Sequence, residues 1–151
     1  MKPELASLSD LPGGSWLVWA LFSAAFAALT AIFAKIGVEG VDSDLATLAR
    51  TVVVVCLLTL LLAATGRLHP TGLSAKTLLF LTLSGAATGA SWLCYFRALK
   101  LGDAARVAPI DKLSVVLVAI FGATFLGEKL STVNWLGVAL IAGGALLVAF
   151  R

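Results

Sequence analysis

The chain has 151 residues, of which 60% are hydrophobic and 13% are charged, and its mean hydropathy is +1.05. Soluble domains are roughly 45–50% apolar and about 25% charged, so this composition excludes a soluble globular protein. The formal net charge is +3, but the basic residues are scattered over predicted loops and helix ends, which argues against a nucleic-acid partner.

Apolar runs long enough to cross a bilayer recur five times. Each crossing needs about 20 residues, and the alternating pattern of a membrane β-barrel is absent, so we expect α-helices. Prolines and glycines in residues 1–15 predict a polar N-terminal arm, and residues 16–151 are predicted to form one all-α polytopic membrane domain. The predicted spans are residues 16–36, 45–64, 77–99, 107–126 and 133–150.

Polar and aromatic residues recur at helical spacing in the first and third spans. Because a hydroxyl group facing lipid gains nothing, such faces predict either a solute path or contacts in which the hydroxyls bond neighbouring helices. The predicted solute-path residues are Trp92, Tyr95, Ser91, Thr88, Trp19 and Thr30.

Ionisable residues inside predicted spans are costly, by about 2.5–3.5 kcal/mol near the bilayer centre on insertion scales. Arg50 lies a turn and a half inside the second span, and Asp111 and Lys112 lie near the start of the fourth. An intramembrane carboxylate with a basic partner can change protonation as access alternates, so these three residues are predicted to couple transport to protons. The alternative is that Asp111 and Lys112 lie at headgroup depth, with Lys112 extending to the interface.

Small residues predict close contacts between helices. Gly85 and Gly89 form a GxxxG pattern in the third span, and Gly137, Gly143 and Gly144 lie in the fifth. These glycines are predicted to mediate dimerisation or helix packing within one chain.

An odd number of spans places the two chain ends on opposite sides of the membrane. The Lys and Arg residues in the loops and near the ends of the spans divide four to five between the two sides, so the charge rule for orientation gives no preference. Such a balance is expected of a chain inserted in both directions, and it is equally compatible with one orientation set by a few dominant charges.

No motif predicts an enzyme, a cofactor or a bound metal. Cys56 and Cys94 lie in apolar runs without CxxC spacing, and no Walker A, GxSxG, HExxH or GxGxxG context is present.

The stretch LCYFRALKLGDAARVAPIDKLSVVLVAIFGATFLGEKL, followed by WLGVALIAGGALLV, resembles the EamA-type domain of the drug/metabolite transporter superfamily. The resemblance covers about residues 16–150. Its most specific pieces are Tyr95 with Arg97, Val107 with Pro109, and the segment Phe125 to Glu128.

The resemblance implies an integral protein of the bacterial inner membrane that moves a small metabolite, amino acid or drug-like solute, commonly driven by protons. Many members carry two such domains in inverted orientation, whereas this sequence shows one. We therefore expect a secondary transporter that works as an antiparallel homodimer or as a heterodimer with a related half. The alternative is a non-transporting structural or regulatory subunit that pairs with another transporter half.

Overall fold

The computed structural model describes residues 14–68 and 73–150, and within these residues all regular structure is helical. Five segments are long and apolar enough to cross a membrane, which confirms the predicted fold class. Most of the predicted N-terminal arm, residues 1–13, and Arg151 lie outside the described residues. The helices are α1 (Gly14–Gly37), α2 (Ser43–Ala64), α3 (Ala75–Leu101), α4 (Ala104–Asp111), α5 (Ser114–Phe125) and α6 (Thr132–Ala149).

Side-chain caps define where three of the helices begin. The Asp42 carboxylate accepts hydrogen bonds from the backbone N–H groups of Asp44 and Leu45, both at 3.0 Å, at the start of α2. Ser74 and Ser131 cap α3 and α6 in the same way. Such caps satisfy N–H groups that have no partner within the helix, so these polar residues set the helix boundaries.

The fourth span, predicted as residues 107–126, is divided into α4 and α5 in the structure. Pro109 lies inside α4 and has no N–H to donate. Shortly after it, the backbone N–H of Leu113 donates a hydrogen bond to the carbonyl oxygen of Ile110, and that of Val115 donates to Lys112. Each acceptor lies three residues back rather than four. The helix is therefore interrupted at Lys112 and Leu113, directly after Asp111.

Helix α3 is central to the bundle, since it packs against α1, α2 and α4, and α6 packs against α4 and α5. The core is small and lies near one end of the bundle. There Val38, from the turn after α1, and Leu99, from the end of α3, are completely buried, and Ala34 and Phe96 pack beside them.

Long-range hydrogen bonds lie at this same end, which we call the hydrogen-bonded end and define as residues 34–47, 96–107 and 149. Lys35 donates to the carbonyl oxygens of Leu99 at 2.8 Å and Gly102 at 3.0 Å. Lys100 donates to Val41, and Arg106 donates to Ala149. Arg97 and Asp44 form an exposed ion pair at 2.6 Å. Basic side chains thus connect the turns and helix ends here.

Large apolar side chains are exposed along the whole bundle, including the end opposite to the hydrogen-bonded end. Trp19 is 74% exposed, Leu60 is 69% exposed and Phe80 is 60% exposed. Such surfaces are far too apolar to face water, so lipid or another protein chain must cover them.

Candidate solute-binding cavity

A cavity of about 440 Å³ lies beside the break between α4 and α5. Residues of α1, α2, α3 and the end of α4 line it, so several helices that are distant in sequence meet there. Its lining consists of Ser23, Phe26, Ala27, Thr30, Arg50, Ser91, Trp92, Tyr95, Asp111 and Lys112.

The cavity brings together most of the predicted charge-relay and solute-path residues. All three predicted charge-relay residues line it, as do four of the predicted solute-path residues. The members of this set are Asp111, Arg50, Lys112, Trp92, Tyr95, Ser91 and Thr30.

Two predicted solute-path residues, Thr88 and Trp19, are not part of the cavity lining. The Thr88 hydroxyl donates to the carbonyl oxygen of Ser84 at 2.9 Å, within its own helix. The Trp19 ring is largely exposed on α1. Neither position therefore contributes to this cavity within one chain.

Three lining residues on α1 were not among the predicted sites: Ser23, Phe26 and Ala27. Ser23, Ala27 and Thr30 are spaced by four and three residues, so they fall on one helix face. That spacing places Ser23 and Ala27 on the face of Thr30 from the sequence alone, although neither was among the predicted solute-path residues. Phe26 gives no such signal, because an apolar ring is equally expected against lipid.

The acidic member of the cavity pairs with its sequence neighbour. The Lys112 ammonium group lies 3.1 Å from the Asp111 carboxylate, and both side chains remain partly exposed. The sequence offered both Arg50 and Lys112 as basic partners of Asp111. The observed contact is within one chain and at the helix interruption itself.

Arg50 stacks on aromatic rings. Its guanidinium carbon lies 4.0 Å from the centroid of the Trp92 ring and 5.6 Å from that of Phe96. Within residues 14–68 and 73–150, no carboxylate lies within ion-pairing distance of it. Arg50 lies seven residues after Ser43, the first residue of α2, and therefore about 10 Å along the helix.

A second, apolar cavity of about 680 Å³ lies between α1 and α2. Thr30 and Arg50 line both cavities, so the two spaces adjoin at these side chains. Phe33, Leu45 and Phe96 contribute most of the bulky apolar lining.

The predicted packing glycines have open space beside them. A Cβ atom placed at any of them would meet nothing within 4 Å in this chain, own-helix backbone aside. Close packing within one chain is thus absent at these positions, and contact with a second chain stays a prediction. The glycines concerned are Gly85, Gly89, Gly137, Gly143 and Gly144.

The described part of the chain contains no group of three or more His, Cys, Asp or Glu side chains close enough to hold a metal ion. The described residues hold five apolar spans, four of which line a cavity with ionisable groups at an interrupted helix. These are features of membrane transport proteins.

Comparison with known proteins agrees with this class. Residues 14–150 match the EamA-like transporter family, and the chain belongs to it. The chain is 68% identical over 136 residues to a Sinorhizobium protein named "Uncharacterized transporter in cobO 3'region", a match that covers 89% of this chain and 96% of that relative. No solved structure gives a significant match. The family and the relative's name both point to transport rather than catalysis.

Proposed function

We propose that this protein is a proton-coupled secondary transporter of a small metabolite, amino acid or drug-like solute in the bacterial inner membrane. The observation that carries the proposal is the Asp111–Lys112 pair in a polar, aromatic cavity at the interruption between α4 and α5. Intramembrane ionisable residues are costly and usually serve transport when they face a cavity, and interrupted helices commonly form solute sites.

Proton binding at Asp111 would change both the charge and the contacts of the cavity. A neutral Asp111 attracts the Lys112 ammonium group much less than the carboxylate does, so the 3.1 Å contact weakens. The backbone beside this pair already departs from α-helical hydrogen bonding at Leu113 and Val115. We propose that α4 and α5 adjust their relative direction at this point as protonation and solute binding alternate.

We further propose that two copies in opposite orientation form the working transporter. One chain offers five spans, so a second, inverted copy would supply the internal symmetry on which alternating access depends in many transporters. The relative in Sinorhizobium is matched over 96% of its own length by a chain whose described residues hold five spans. The open space at the predicted packing glycines offers room for the second copy. A heterodimer with a related half remains the rival arrangement.

The test is reconstitution of the purified protein in liposomes that contain a pH-sensitive dye. A pH gradient is imposed while amino acids, organic acids and amines are supplied in turn, and solute-dependent proton flux is measured. We expect Asp111→Asn to reduce this flux by at least about tenfold, because an amide cannot carry the proton.

The matched control is Asp103→Asn. Asp103 precedes α4, is exposed and makes no side-chain cap hydrogen bond, so its flux should equal that of the unaltered protein. Unchanged pH dependence in Asp111→Asn would remove this residue from the mechanism. Absence of flux for every solute would favour the non-transporting subunit.

A further inference from the structure

We propose that the solute is a singly charged organic anion, an oxyanion such as a carboxylate on an apolar body, and that Arg50 binds its charged group. This inference rests on the proposed function and deepens it, because it names the class of solute. Its basis is the position of the Arg50 guanidinium group, which forms no ion pair within residues 14–68 and 73–150 and has a polar cavity on one side and an apolar cavity on the other.

The guanidinium group of Arg50 has hydrogen-bond donors that can bind a ligand. Arginine has five N–H donors in one plane, and stacking against a ring occupies only the face of that plane. Arg50 stacks on Trp92, and no hydrogen bond from its guanidinium group is present among the described residues. Its donors are therefore available for a ligand, and a carboxylate matches their fork in a bidentate manner.

The charge of the cavity favours an anion. Arg50 and Lys112 each carry a positive charge, Asp111 carries a negative one, and the remaining lining residues are neutral. The formal sum of the lining side chains is one positive charge. A ligand with one negative charge neutralises it, whereas a cationic ligand is repelled by two basic groups.

The adjoining apolar cavity offers space for the rest of the solute. The apolar cavity begins at Thr30 and Arg50 and extends between α1 and α2 over about 680 Å³. Typical small-molecule sites measure about 300–1,000 Å³ and combine apolar walls with few polar groups. An anion seated on Arg50 can therefore place its apolar part beside Phe33 and Leu45.

An anionic lipid headgroup has the same chemistry as this solute, so the two sources need to be distinguished. Arg50 is about 10 Å along α2 from its first residue, so a headgroup would have to leave the interface to reach it. A free carboxylate that enters the cavity as a whole has no such constraint, and we therefore assign the site to a soluble anion.

The experiment measures binding of radiolabelled 3-phenylpropionate to the full chain in phosphatidylcholine nanodiscs at neutral pH, with empty nanodiscs subtracted. The amide and the amine with the same apolar body serve as competitors. We expect the carboxylate to bind at least about tenfold more tightly than either, since hydrogen bonds to charged groups are the strong ones. Equal binding of the amide or the amine would overturn the proposal.

Three variants sharpen the result. Arg50→Gln should abolish the preference for the carboxylate, and Arg67→Gln, which changes an exposed arginine after α2, should retain it. Asp111→Asn should strengthen carboxylate binding, because it removes the negative charge from the cavity. A carboxylate preference that survives in Arg50→Gln would contradict the proposal. The ligand series on the unaltered protein decides the question even if a variant fails to fold.

A final binding measurement distinguishes a soluble anion from an anionic lipid headgroup as the ligand of Arg50. Replacing part of the phosphatidylcholine with phosphatidylglycerol should leave 3-phenylpropionate affinity within about twofold; displacement that depends on Arg50 would assign the site to lipid and refute the proposal. Binding without flux would refute transport and leave this inference standing. Flux confined to amines would support transport and refute this inference.

Discussion

The two ends of the helical bundle are built differently. At the hydrogen-bonded end, basic side chains bond to carbonyl oxygens and to Asp44, and the completely buried residues Val38 and Leu99 lie among them. Toward the opposite end, the described hydrogen bonds of side chains are local caps or contacts within one helix. Large apolar side chains are exposed at both ends, so the difference lies in the long-range hydrogen bonds. One end is thus fixed by the chain's own contacts, and the other depends on its surroundings.

The candidate cavity lies between these two regions. Its position relates the difference between the two ends to movement of the helices that line it. Arg50 and Asp111 each lie seven residues from the first residue of their helix, Ser43 and Ala104, at the hydrogen-bonded end. Helices that are joined by long-range side-chain hydrogen bonds at one end, and not at the other among the described residues, can pivot without breaking those connections. Such an arrangement suits a cavity that must open to each side of the membrane in turn.

The largest effect on this contrast is expected from truncation of the core. Leu99→Ala should lower the free energy of unfolding by about 2 kcal/mol, the low end for such changes, because lipid is as apolar as the core and only packing is lost. Leu101→Ala is the control, since Leu101 is 89% exposed on the same helix. Unfolding in mixed micelles would compare them, and equal losses would contradict the assignment of a core to this end.

A smaller effect is expected from removal of a connecting lysine. Lys35→Met should lower the free energy of unfolding by about 1–2 kcal/mol, because it leaves the carbonyl oxygens of Leu99 and Gly102 without their charged donor. Lys129→Met changes an exposed lysine near the opposite end and should have almost no effect. The same micelle measurement checks both, and a larger loss in Lys129→Met would reverse the contrast.

The smallest effect on the single chain is expected at the open glycines. Gly143→Leu places a bulky side chain where nothing in the chain lies within 4 Å, so the free energy of unfolding of one chain should change little. If this face meets a second copy, the dimer should weaken severalfold, which analytical ultracentrifugation would detect. The control is Leu140→Ile, a volume-conserving change on the neighbouring exposed surface of α6. Unchanged dimerisation in Gly143→Leu would remove this face from the interface.

The sequence predicted the helices well, because five long apolar runs leave few alternatives in a bilayer. Polar residues at helical spacing also brought Ser91, Tyr95 and Thr30 to one cavity, since hydroxyl groups avoid lipid. The prediction was less complete where structure depends on distant contacts. Nothing near Lys35 in the sequence indicates that it bonds to the end of α3.

The interruption after Asp111 shows a second limit. The sequence predicts that the fourth span begins at residue 107, two residues before Pro109, yet α4 begins at Ala104 and the helix is interrupted after the proline. A proline is compatible with the first turn of a helix and also with a break further along, and local sequence does not distinguish the two. The sequence also did not predict that Arg50 stacks on Trp92, because this contact depends on how α2 packs against α3.

The central claim, that opposite copies complete one transporter, is tested most directly by the sidedness of each end in intact cells. Cysteine would replace either Glu39, exposed beside the hydrogen-bonded end, or Lys129, exposed beside the opposite end, after Cys56 and Cys94 are changed to alanine. A membrane-impermeant maleimide then reports which side each position faces. We predict that roughly half of the molecules react at either position, because insertion in both directions places each end on both sides. Complete reaction at one position and none at the other would contradict the account.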